Sequence, residues 1–71
     1  MAAATYQIQN PQTGKTRTVN ASDTEGRATP LAAEAGAEAD FEGQLTALRF
    51  KSFDEFEDLL EELGWIYDIT P

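Results

Sequence analysis

The chain has no cysteine and no histidine. The first absence excludes disulfides, thiolate metal sites and thiol redox chemistry. The second removes the commonest metal ligand and the commonest general base. Cations are scarce, five Lys and Arg against thirteen Asp and Glu, for a net charge of −8. Such a chain repels nucleic-acid backbones and anionic membranes and is drawn to basic protein surfaces. No run approaches the ~20 apolar residues of a membrane span. The start, Met1 to Thr5, lacks the basic and apolar regions of a signal peptide, so a cytoplasmic location is expected.

With 71 residues the chain is read as one domain. A domain of this size buries only about 60% of its unfolded surface and is marginally stable. Without disulfide or metal, the staples left are a partner protein or self-association as a homo-oligomer. An apolar fraction of 41% argues against disorder.

Residues 5–10 alternate, with Tyr6 and Ile8 between Gln7 and Gln9, the period of a half-buried strand. Asn10-Pro11-Gln12-Thr13-Gly14 is a turn, and residues 15–21 alternate again, so the two segments form a β-hairpin. Residues 1–4 are expected to be disordered. Ser22 and Glu25 have the spacing of a capping box, which would start a helix at Asp23, although Gly26 and Pro30 oppose it. Thr29-Pro30 offers a second start, and the Ala-rich stretch that follows predicts a short helix over 30–36 closed by Gly36. Residues 37–43 read as a flexible connector. Residues 44–50 carry apolar groups on both faces and read as a central strand.

The clearest element is an amphipathic helix over 53–63. Ser52 caps it, Glu55 completes the capping box, and Phe53, Phe56, Leu60 and Leu63 make one apolar stripe. Gly64 stops it, with Trp65 placed to pack back on Leu60. Residues 65–69 form a last strand. The predicted class is α+β, in the order ββαβαβ, with helices packed on one sheet and a right-handed crossover making the last two strands parallel. The first ββαβ is also compatible with a β-grasp-like arrangement.

Chemistry-bearing motifs are few. Gly14-Lys15-Thr16 ends like a phosphate-binding loop, but Gln9 stands where its first Gly belongs and a hairpin is the wrong context. Asp40-Phe41-Glu42-Gly43 lacks the ligand spacing of a calcium loop. No metal, cofactor or catalytic residue is expected, and the chain reads as a non-enzyme: neither Ser22 nor Ser52 has an identifiable base.

The strongest signal is the acidic side of the second helix. Asp54, Asp58, Glu61 and Glu62 share a face flanked by Glu55 and Glu57, with no Lys or Arg between 54 and 64. Glu61 and Glu62 sit where the helix dipole opposes them, and like charges four residues apart cost ~0.2–0.5 kcal/mol per pair. Three readings fit: a solvated face that keeps the chain soluble, a docking surface for a basic partner, and adaptation to high salt. Under the second, Asp54, Glu57, Asp58, Glu61 and Glu62, with Trp65 and Tyr67 as an adjacent aromatic hot spot, are the candidate partner-binding residues. The expectation is therefore an acidic protein-interaction module: a regulator, an adaptor or a small subunit. The alternative is an inhibitor that imitates nucleic acid and occupies the basic groove of a DNA- or RNA-binding protein.

Overall fold

Three antiparallel strands begin the chain, because the turn chemistry occurs twice. In the computed structural model, which describes residues 3–32 and 36–70, β1 (Ala3–Asn10) and β2 (Lys15–Ser22) form the expected hairpin. Asn10 accepts from the Gly14 amide at 2.7 Å, and Gly14 takes φ +76°. Ser22 accepts from the Gly26 amide at 2.9 Å, and Gly26 takes φ +65°. Both turns thus have a polar residue followed four positions later by a left-handed Gly. The second turn leads into β3 (Arg27–Pro30), not into a helix at Asp23. Ser22 and Glu25 do not cap anything; their segment is a hairpin loop. Pro30 sits on an edge strand, where its missing N–H costs little. Of the helix expected over 30–36, residues 33–35 lie outside the described residues, and Pro30 and Leu31 continue the sheet instead, Leu31 donating to Thr18 O at 3.0 Å.

Two helices follow: α1 (Ala39–Ala47) and α2 (Phe53–Glu62). The first replaces both the connector expected over 37–43 and the strand expected over 44–50. Phe41 and Leu45 lie one helical turn apart and are buried, with Leu48 half-buried another turn on. Phe50 follows in extended backbone, tied by its amide to Gly26 O at 3.0 Å.

The last strand, β4 (Ile66–Thr70), crosses back beside β1. The sheet order is β3-β2-β1-β4 and every pairing is antiparallel. The parallel crossover does not occur, because residues 44–50 supply no strand for β4 to run beside. The β-grasp comparison falls with it. The α+β class stands: both helices contribute to one core on one face of the sheet. That core gathers Tyr6, Ile8, Val19, Ala21 and Ala28 from the strands, Phe41 and Leu45 from α1, and Phe56 and Leu60 from α2. Ala3 and Ala4, expected to be disordered, pair with Ser22 and Ala21. Chain reversal through α1 and α2 places α1 against β3 and α2 against β4, at opposite ends of the sheet.

Candidate functional site

Local rules fix α2 firmly. Ser52 Oγ accepts from the Glu55 amide at 3.3 Å, and Glu55 Oε2 reaches back to the Lys51 amide at 3.1 Å. At the other end Gly64 takes φ +80°, its amide donates to Glu61 O, and the Trp65 amide donates to Leu60 O, both at 3.0 Å. This is the six-to-one and five-to-two pattern of a Schellman stop. With Phe56 and Leu60 buried, the opposite side of the helix must carry the charges.

Asp54, Asp58, Glu61 and Glu62 are all exposed. Among the described residues none of the four side chains makes a hydrogen bond or an ion pair. No cation lies within α2, though Lys51 directly precedes its N-cap. Arg17 is buried under the helix face of the sheet, donating to Ala32 O at 2.8 Å and Leu31 O at 3.0 Å and pairing with Glu42 of α1 at 3.3 Å. Arg27 pairs with Glu25 at 3.0 Å. Arg49 Nη1 donates to the carbonyls of Thr46 and Leu48. Arg27 and Arg49 line a hollow at β3, whereas α2, with its exposed carboxylates, packs against β4.

Glu57 differs from its neighbours. It is half-buried and accepts from two phenols, Tyr6 Oη at 2.9 Å on Oε2 and Tyr67 Oη at 3.2 Å on Oε1. One carboxylate thus links α2 to β1 and β4. Burial, and next the bonded Glu57 carboxylate, push the Tyr6 phenol well above its ordinary value. The Tyr67 phenol is raised by partial burial and then by the charges of Glu57, Glu61 and Asp58. Glu57, which helical spacing places at the flank of the acidic face, thus has its carboxylate turned to two tyrosines. Trp65 is in the core, its ring 4.7 Å from Phe41 in an edge-on contact. Tyr67 keeps an outward part and remains beside the acidic face.

Of β4, the sequence singles out only Tyr67, and the exposed isoleucines on either side of it carry no signal there. Ile66 and Ile69 are 57% and 47% exposed, on opposite faces of this edge strand. On the open face of the sheet, Gln7, Gln9, Thr16, Ile66, Tyr67 and Asp68 line a shallow hollow of about 300 Å³. That is the floor of the range used by small-molecule sites. Among the described residues no three metal-ligating side chains gather, and no helix is long and apolar enough to cross a membrane. Comparison with protein-family models, with curated proteins and with solved structures gives no match.

Proposed function

We propose that this is a non-catalytic protein-interaction module that presents α2 to a partner with a basic surface. One observation carries the reading: four exposed carboxylates, Asp54, Asp58, Glu61 and Glu62, share a helix with no cation, while arginines at the other end are paired or bonded to carbonyls. A chain selected only for stability would place Lys in the last turn of α2, where the dipole is negative. Imitation of nucleic acid is the weaker reading. It needs a row of charge over several elements, and the acidic groups outside α2 are partly engaged: Glu42 with Arg17, Glu25 with Arg27, and Glu38 with Thr13.

The test compares the protein with a variant carrying Asp54→Asn, Asp58→Asn, Glu61→Gln and Glu62→Gln. Both are immobilised and exposed to an extract of the source cells at low and high salt. A protein held by the natural chain at low salt and lost from the variant supports the proposal. Equal retention by the two, or none by either, overturns it. A captured protein that then releases DNA or RNA in competition identifies the mimic instead.

A further inference from the structure

We propose that the free edge of β4 takes up an extended basic segment of the partner protein as a fifth strand, with alternate Lys or Arg side chains reaching the carboxylates of α2. The inference rests on the basic-partner reading above and adds where and in what conformation the partner binds.

A strand at the edge of a sheet turns half of its N–H and C=O groups away from its neighbour. In β4 those groups have no backbone partner among the described residues. Edges are normally blunted by Pro, by Lys or by shortness. The opposite edge is: β3 has four residues, ends in Pro30 and carries Arg27, itself held by Glu25. Residues 66–70 contain neither Pro nor a cation, and their one charge is Asp68. Exposed Ile66 and Ile69 flank the edge on its two faces, giving apolar contact to side chains of an added strand. On the helix side, α2 packs against β4, tied to Tyr67 through Glu57, and carries exposed Asp58 and Glu61; on the open side, Asp68 and Ile66 line one hollow. Successive side chains of an extended segment point to opposite faces. Cations at every second position would therefore all lie on the face of the sheet that α2 covers, the face from which its carboxylates can be reached.

Charge selects between occupants. A second copy of this chain would bring another net charge of −8 and another set of α2 carboxylates against the first. A basic segment meets complementary charge on both faces of the edge, and main-chain bonds supply affinity without demanding a particular sequence.

The test uses the whole chain and three short synthetic peptides: Lys alternating with Val, the same peptide N-methylated at alternate residues, and Glu alternating with Val. Binding is followed at low salt by calorimetry and by amide chemical shifts. The Lys peptide is expected to bind and to shift the amides of β4. N-methylation, which keeps every charge but deletes the pairing N–H groups, is expected to weaken binding at least about tenfold, the worth of one or two lost hydrogen bonds. If both Lys peptides bind equally and only α2 shifts, edge pairing is wrong while the basic-partner reading survives. If the Glu peptide binds as well as the Lys peptide, the charge argument is wrong. If no peptide binds, both readings fail. If β4 amides shift with protein concentration alone, the edge is already taken by a second copy and the proposal is overturned.

Discussion

The two ends of the sheet solve the same problem in opposite ways. At the β3 end, Arg17 ties β2 to α1 and to the carbonyls of Leu31 and Ala32, Arg27 is paired, and Pro30 closes the strand edge. At the β4 end the edge is open and the covering helix carries exposed carboxylates with no basic residue within its own length. The first arrangement lowers the free energy of the isolated chain. The second leaves electrostatic repulsion and unpaired backbone in place, which is what a surface kept for a partner requires. The contrast teaches that acidity is common to both ends, since α1 carries Asp40 and Glu42, and that what is local is the placement of Arg17, Arg27 and Arg49 at the β3 end.

The contrast in surfaces should vanish in the core. Phe41 of α1 packs edge-on against Trp65, which directly follows α2, so both helices close a single cluster. Phe41→Ala at one end and Phe56→Ala at the other are each expected to cost ~3–5 kcal/mol. That is comparable with the whole stability of a small domain. Urea melts should find both variants largely unfolded. A Phe41→Ala cost below about 1 kcal/mol would mean that α1 is not part of the folding unit and that the two ends are energetically separate.

Alkaline pH sharpens the comparison from the other side, because the phenols bonded to a carboxylate are at the β4 end only. Tyr6 and Tyr67 have folded pKa values raised above the unfolded value of about 10. Their contribution is therefore fully present below pH ~10 and lost as pH rises above it, since the unfolded chain releases the protons first. Urea midpoints should be flat from neutrality to about pH 9 and then fall. The double variant Tyr6→Phe, Tyr67→Phe should lose most of that fall, though it starts less stable without the bonds to Glu57. An equally steep decline in the variant would assign the alkaline transition to other groups.

What could be read from the sequence followed how local the determining rule is. The first hairpin and α2 with its cap and stop depend on residues within a turn of one another and stand as expected; β4 is a strand as expected, but it pairs antiparallel with β1, which no local rule could show. α1 was hidden by Gly43, which costs ~1 kcal/mol in a helix, and by the lack of a capping side chain at Glu38. Its signal was present in the spacing of Phe41, Leu45 and Leu48. β3 was hidden because Ser22 and Glu25 mimic a helix start; the repeat of the Asn10–Gly14 spacing at Ser22–Gly26 was the better guide. Gly26 also has a reason that only the fold supplies: a Cβ there would collide with Phe50 O. The acidic face was legible because exposure follows from helical period. That Glu57 leaves the face for two tyrosines was not, since Tyr6 lies 51 residues away.

The smallest expected effect bears most directly on why the ends differ. Glu61→Lys with Glu62→Lys replaces two exposed carboxylates in the last turn of α2, where no basic residue now stands. The new cations would face the negative end of the helix dipole. They would also lie one turn after Glu57 and Asp58, with the acid on the N-terminal side, the more favourable order. Together these terms should raise stability by about 1 kcal/mol at low salt, seen as a melting temperature several degrees higher, and the gain should shrink as salt screens it. The same variant should bind the Lys–Val peptide less tightly than the natural chain. Greater stability with weaker binding means that the β4 end gives up stability to hold a basic partner. Greater stability with unchanged binding means that Glu61 and Glu62 are merely solvated and that any basic contact is made by Asp54, Asp58 or Asp68. A less stable variant would mean that these two carboxylates are stabilising where they are, and the difference between the two ends of the sheet would then need another cause.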